Sequence, residues 1–238
     1  MATQNLLYAR NFKINDSISV VIPTVGEIID DEDNYYSLVT CFTAMPIDMM
    51  LLLDDIGIDF TTINSYELFL ILSEGIKTQD TSLLFGNLDF SKFNMSVNPR
   101  NESLVLYNEE DDIMIDRGVY ERISSVVRKI NHLKRNNRKP GNKEAQEYML
   151  KRAREKAMRH KNRTQESQLE QLIIAMVNTE QYKYNFEGTR ELSIYQFNES
   201  VRQIINKVDY DNRMYGLYAG TINPDSLSQD DFNWLVHK

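Results

Sequence analysis

The sequence predicts an α+β protein, in which a small mixed α/β N-terminal part with a hairpin is followed by a mainly helical C-terminal half. Three observations lead to this class. The β-branched run Ile18–Ile22 ends at a proline, which is typical of a strand. The alternating run Phe90–Val97, the turn residues Asn98–Asn101 and the apolar run Leu104–Tyr107 indicate a hairpin. From Arg117 onwards, apolar residues recur with the period of a helix.

Helices are also expected between the strands of the N-terminal part. One should follow Gly26 and continue through Tyr35–Phe42, and a short one should cover Ile47–Asp55. Asn64 and Glu67 have the spacing of a capping box, in which each side chain accepts a hydrogen bond from the other residue's backbone N–H. This pair predicts that another helix begins immediately after Asn64.

The C-terminal half contains a series of helix signals. Apolar residues at positions 123, 126, 127, 130 and 133 lie on one face of a helix, and a second helix is expected from Lys143 to Asn162. Three serines stand where a helix N-cap is expected, followed by apolar residues of helical period. They are Ser167, Ser193 and Ser228.

Charge is distributed unevenly along the chain. The net charge is −8, yet residues 128–163 hold 14 Lys and Arg against three Asp and Glu, a net charge of +11. The remainder holds 13 basic and 32 acidic residues, a net charge of −19. We therefore expect three domains: a mixed α/β domain over 1–116, a basic helical hairpin over 117–163 that turns at Pro140–Gly141, and a helical domain over 164–238.

The basic segment has three interpretations. A Lys and Arg stripe along a helix can bind nucleic acid by neutralising phosphates, but aromatic residues for base stacking are scarce, so this is the weaker alternative. It can dock on an acidic protein surface, including that of a second copy in a homo-oligomer. It can also be a solvated helix pair. The partner-binding residues we predict here are Lys151, Arg152, Arg154 and Lys156.

Catalytic and metal-binding constellations are not apparent in the sequence. The three histidines, His132, His160 and His237, lack ligand spacing, and Cys41 is the only cysteine. The acidic runs at 30–33, 54–55 and 109–112 lack an ion-loop pattern and are expected to be solvated loops or helix ends. We therefore expect a protein without enzymatic activity, cofactor or metal.

Two apolar stripes on the C-terminal helices are candidates for a second partner-binding site. Such stripes usually pack within their own domain, but a groove between two of them can also hold the apolar face of a partner helix. A stripe that packs within its own domain and a stripe that lines a groove have the same helical spacing, so the sequence does not distinguish them. The residues are Leu169, Ile173 and Met176 on one helix and Phe197, Val201 and Ile204 on the other.

No signal peptide or membrane span is apparent. Residues 1–10 lack a basic region followed by an apolar stretch, and the densest apolar runs, Met49–Leu53 and Leu68–Leu72, are short. A single cysteine fits a reducing compartment. We expect the protein in the bacterial cytoplasm, or in a virion if it is structural.

Several stretches resemble the tail assembly chaperones of phages and prophages of Gram-positive bacteria. Together they span most of the chain, although they carry no catalytic signature. They are Ile22–Ile28, Ala44–Asp48 and Tyr66–Phe69 in the N-terminal half, and Phe186–Arg190, Ile194–Phe197, Tyr218–Ile222 and Phe232–Leu235 in the C-terminal half.

The resemblance implies a function in tail morphogenesis. Such chaperones bind the long, helical tape-measure protein, which otherwise aggregates, and bring tail-tube protein to it. The implied partners are therefore the tape-measure and tail-tube proteins. A structural virion protein of the tail, neck or baseplate is the alternative, because it would also combine apolar surface with excess charge.

Overall fold

The computed structural model of the chain describes residues 5–160 and 166–235, and it confirms the α+β class. Helices account for 54 % and strands for 9 %, so helices form most of the framework. All strand pairs are antiparallel, and Val97 faces Leu104 across the predicted hairpin. One sheet pairs β1 (Asn11–Lys13) with β2 (Ser19–Val21), and the other has the order β3 (Asn94–Val97), β4 (Leu104–Asn108), β5 (Ile113–Ile115).

The N-terminal helices begin at side-chain caps. Asn64 accepts hydrogen bonds from the backbone N–H groups of Tyr66 and Glu67, which confirms the predicted capping box. Thr24 and Glu27 form a second capping box, which was not predicted from the sequence. The helices are α1 (Val25–Asp30), α2 (Glu32–Thr43), α3 (Met50–Asp55), α4 (Ser65–Ile76) and α5 (Ser82–Phe85), followed by a short 3-10 helix at Phe90–Lys92.

The C-terminal helices begin close to the predicted positions. Ser167 and Ser193 accept backbone hydrogen bonds as N-caps, and the helix after Ser193 continues for 25 residues. The helices are α6 (Arg117–Ile130), α7 (Lys143–His160), α8 (Gln168–Val177), α9 (Phe186–Glu191) and α10 (Ile194–Tyr218), followed by 3-10 helices at Pro224–Ser226 and Gln229–Phe232.

One large hydrophobic core joins the two halves of the chain. Its centre is aromatic: the ring of Phe42 lies 5.0 Å from that of Phe69 and 4.7 Å from that of Phe85. Leu169 and Phe197 of the C-terminal half pack into the same core. The predicted domain boundaries at 116/117 and 163/164 therefore separate segments that share one core.

Helix α6 does not form an exposed arm of the predicted basic hairpin. Val119, Tyr120, Ile123 and Val127 are buried in the main core, so α6 is a core helix. Arg128 is buried too: its guanidinium donates to the carbonyl of Thr43 and to the Ser124 hydroxyl. Residues 131–142 form neither helix nor strand. Among the described residues of the predicted hairpin, α7 is the one exposed basic helix, and residues 161–163 lie outside the described part.

Candidate partner-binding surfaces

The predicted basic patch lies on α7, where Arg154 differs from the other three residues. Its guanidinium Nη2 donates to Asp54 at 2.5 Å and to Asp55 at 2.7 Å, both at the end of α3. These hydrogen bonds, with the charges of the two carboxylates, raise the pKa of Arg154. Arg154 therefore anchors α7 to the protein, whereas Lys151, Arg152 and Lys156 are exposed to solvent.

The surface beneath α7 is a second, smaller apolar cluster. We call it the α3 platform; its buried residues are Ala44, Ile47, Leu53, Phe60 and Leu68. Met149 and Leu150 of α7 pack against it and are only partly buried. Among the described residues of α7, no side chain is fully buried. The helix thus lies on the surface of the protein with one narrow apolar contact.

The predicted apolar stripes are divided between core and surface. Leu169, Met176 and Phe197 are only 4 %, 5 % and 0 % exposed, so they are core residues in this conformation and offer no free face to a partner. Ile173, Val201 and Ile204 are partly buried and pack against the same core. The helical period could not separate these cases, because core and groove stripes have the same spacing.

Other apolar side chains of the C-terminal region are exposed instead. Tyr218 is 87 % exposed, Tyr215 78 % and Ile205 54 %, all on α10. Residues after α10 add to them. We call the following residues the terminal apolar set: Ile205, Tyr215, Tyr218, Phe232, Trp234 and Leu235. The sequence signal for them is weak, because an exposed aromatic residue near a helix end has no distinctive spacing.

The chain after α10 folds back towards that helix. The carbonyl oxygen of Gly216 accepts hydrogen bonds from the backbone N–H groups of Thr221 at 2.9 Å and Ile222 at 3.2 Å. Arg213 forms an ion pair with Asp231. Through these contacts the terminal segment that carries Trp234 is held near the C-terminal end of α10.

A polar cluster joins α6 to α10. His132, just after α6, places its Nε2 3.2 Å from Oε1 of Glu199, which also pairs with Arg202. Burial lowers the pKa of His132, and it outweighs the opposing effect of Glu199. Burial of Glu199 favours its neutral form, but Arg202 and then His132 outweigh this, and the pKa of Glu199 is lowered. Asn198 also donates to the Ile130 carbonyl at 3.2 Å.

The three acidic runs have structural positions that agree with the sequence interpretation. Asp30 ends α1, and Glu32 and Asp33 lie in the first turn of α2, where the helix dipole favours carboxylates. Asp54 and Asp55 bind Arg154, and residues 109–112 form the turn between β4 and β5. Residues 5–160 and 166–235 contain no group of three or more His, Cys, Asp or Glu arranged to hold a metal ion.

Cys41 lies within the main core. Burial raises the pKa of its thiol to about 12. The thiol is therefore protonated at neutral pH, which makes it a poor nucleophile. In the part of the chain that the structure describes, no helix is long and apolar enough to cross a membrane.

Comparison with known proteins finds a match to a family model in the C-terminal region. Residues 160–237 match the model of a family described as the YomV second domain, a family that derives from a Bacillus prophage. No curated protein and no solved structure matches the chain. The matched region covers less than half of the 238 residues and contains α8, α9, α10 and the terminal apolar set. This similarity to a phage-associated family indicates a phage protein.

Proposed function

We propose that the chain is a phage tail assembly chaperone, which binds the tape-measure and tail-tube proteins during tail morphogenesis and catalyses no reaction. The observation that carries the proposal is the position of the terminal apolar set. These exposed residues lie in the region that is similar to a phage-derived family. A protein that shields aggregation-prone helices needs such exposed apolar side chains. The resemblance of several sequence stretches to tail assembly chaperones supplies the partners.

The geometry of α10 supports this proposal. The helix has 25 residues and is therefore about 37 Å long at the usual rise per residue. Its first turn is buried, with Ile194 and Phe197 in the core. Its second half carries Tyr215 and Tyr218, whose rings are largely exposed. A helix that is fixed at one end and carries exposed aromatic side chains at the other can present them to the apolar stripe of a partner.

Charge supports the proposal in a second way. The body outside residues 128–163 has a net charge of −19, which keeps a protein and its bound partner soluble. Apolar burial contributes about 25 cal/mol per Å², and much of that is offset by the ordering of side chains. A partner with a repeated helical sequence can bind with micromolar affinity at many positions, so very tight binding is not required.

Co-expression with the tape-measure protein of the same phage tests the proposal. We expect that protein to be more soluble with the chain than without it, and to co-purify with it. The triple variant Ile205→Asp, Tyr215→Asp, Tyr218→Asp should lose both effects. Met158→Asp is the control, because Met158 is 75 % exposed but lies on α7, outside the family match.

A structural protein of the tail, neck or baseplate is the alternative, and the same material distinguishes it. Mass spectrometry of purified virions should find the chain absent if it is a chaperone. Its presence at stoichiometric amounts, together with no gain in tape-measure solubility, would contradict the chaperone proposal. The weaker alternative, a regulator that binds nucleic acid through the basic segment, is tested by gel shift with the phage DNA, for which we expect no complex at about 0.15 M salt.

A further inference from the structure

Helix α7 is attached to the rest of the chain by a short list of contacts. Arg154 pairs with Asp54 and Asp55, and Gln146 donates to Asp59 at 2.8 Å. Met149 and Leu150 pack on the α3 platform. Every other contact surface of the helix is exposed or only partly covered. A helix held this way makes much less contact than α6, whose apolar face is buried throughout.

The α3 platform has the composition of an adaptable helix-binding surface. Around its five buried residues lie Met45, Met49 and Met50, which are partly buried and pack against them. Methionine side chains are flexible and polarizable, so they fit different partner side chains at little cost. The carboxylates of Asp54 and Asp55 stand at one edge of the platform and supply an anchor for a basic residue.

The platform is also incompletely filled. A cavity of about 230 Å³ lies beside it, between Met45–Ile47, Phe60–Ser65 and Asn136–Pro140. Much of this lining is apolar, including Pro46, Phe60 and Ile63. The segment 131–142 leads into α7 without helix or strand, and Asn136 ties it to Asp48 at 2.7 Å. This leaves room beside the platform, next to the segment that leads into α7, for the side chains of a larger ligand.

We infer that the α3 platform is a helix-binding groove, which α7 occupies as an internal pseudo-ligand. The external ligand is an amphipathic helix of a partner protein. It would carry two adjacent apolar residues, in place of Met149 and Leu150, and a basic residue one turn later, in place of Arg154. This inference rests on the proposed function only in that the partner is a helical protein, and it adds a second site that is regulated by the chain itself.

Charge complementarity and the spacing on α7 define this ligand. Leu150 and Arg154 are four residues apart and therefore lie one turn apart on the helix. A partner helix with that spacing places its apolar pair on the platform and its cation between Asp54 and Asp55. Because α7 is tethered, it competes with an effective concentration in the millimolar range. A partner therefore binds only when it contacts more of the groove than α7 does or is present at many copies.

A labelled peptide with the sequence of α7, residues 143–160, tests the inference, because it stands in for the helix of an external partner. Fluorescence anisotropy should show weak binding to the wild-type chain, because α7 already occupies the groove. Arg154→Glu in the protein places a carboxylate beside Asp54 and Asp55 and releases α7, so the wild-type peptide should bind about tenfold more tightly. Arg159→Glu in the protein is the matched control; it makes the same charge change outside the anchor and should leave binding weak.

Substitutions in the peptide give a second test, whose result does not depend on whether a protein variant folds. A peptide carrying Arg154→Glu should not bind the Arg154→Glu protein, whereas a peptide carrying Arg159→Glu should bind like the wild-type peptide. Circular dichroism confirms that both protein variants remain folded. Equal peptide binding to the Arg154→Glu and Arg159→Glu proteins overturns the inference, as does binding that is insensitive to Arg154 in the peptide. Dimerisation of the wild-type chain that the free peptide abolishes would make the ligand a second copy and overturn the assignment to a separate partner.

This experiment is independent of the tape-measure test. A failure of peptide binding leaves the terminal apolar set and its co-expression result untouched. Conversely, a tape-measure protein that does not co-purify leaves the competition between α7 and the peptide unchanged. The two proposals can therefore fail separately.

Discussion

Thr24 and Ser193 form an antiparallel backbone bridge, and each of them is also the N-cap of a helix. The backbone N–H of Val25 donates to the carbonyl of Leu192 at 2.8 Å, and that of Ile194 donates to the carbonyl of Pro23 at 2.9 Å. The bridge therefore fixes the beginnings of α1 and α10 against each other. In this way it attaches the region that matches the family model, residues 160–237, to the N-terminal part.

Packing next to this bridge leaves little room for a side chain at position 26. A Cβ at Gly26 would lie 3.2 Å from the carbonyl oxygen of Arg190 and 3.3 Å from its Cβ. We predict that Gly26→Val lowers the free energy of unfolding by about 1–3 kcal/mol, because a larger side chain forces α1 away from α9. Gly75→Ala is the control: nothing lies within 4 Å of its Cβ, so it should raise stability by about 0.5 kcal/mol. Urea denaturation measures both, and an equal effect of the two variants would contradict this account.

The half-buried His132 should make the joint between α6 and α10 sensitive to acid. The pKa of His132 is lower in the folded state than in the unfolded state, so protonation of His132 destabilises the folded state. Its contribution to stability is complete above the unfolded pKa of about 6.5 and is lost as the pH falls through the lowered folded pKa. The lowered pKa of Glu199 acts in the same direction at lower pH, below about 4.5.

Thermal melting at pH 7.5 and pH 5.5 measures the part that belongs to His132. We expect the wild-type protein to melt at a lower temperature at pH 5.5. In His132→Asn this difference should shrink, and asparagine suits the positive φ of +53° at this position. His160→Asn, at an exposed position of α7, should keep the wild-type difference. An unchanged pH dependence in His132→Asn would rule out this role.

Core and surface positions of the C-terminal helices should respond differently to a carboxylate. Met176→Asp places a charge in the main core, and we expect it to cost at least the roughly 2–5 kcal/mol of losing a buried methionine side chain. Ile205→Asp, on the exposed side of α10, should stay within about 0.5 kcal/mol of the wild-type protein. Urea unfolding followed by circular dichroism gives both values. If Met176→Asp is folded and as stable as the wild-type protein, the helix face that carries Met176 can leave the core, and the prediction is wrong.

The free part of the basic patch should be dispensable for folding. The triple variant Lys151→Glu, Arg152→Glu, Lys156→Glu changes exposed side chains only, so its stability should stay within about 0.5 kcal/mol of the wild-type protein. Adding Arg154→Glu should increase hydrogen exchange in α7, because the pair with Asp54 and Asp55 is lost. Equal exchange in the triple and quadruple variants would show that Arg154 does not anchor the helix.

The sequence by itself determined the class of fold and most helix starts. Caps and turns are local: Asn64 and Ser193 satisfy backbone N–H groups within three residues, and Val97 meets Leu104 across a short turn. Such features depend on neighbours along the chain, so they can be predicted from it. The very short β1, and α5 and α9 with four and six residues, were missed because so few residues carry no clear period.

Only the tertiary structure decided which faces are buried and which charges are paired. Leu169 and Ile173 are both apolar and lie one turn apart on the same helix face. Leu169 is buried in the core, whereas Ile173 is only partly buried at its edge. Arg128 and Arg154 belong to one basic run, yet one donates to the Thr43 carbonyl in the interior and the other pairs with Asp54 about a hundred positions away. These outcomes depend on contacts between distant segments, which local period and composition do not encode.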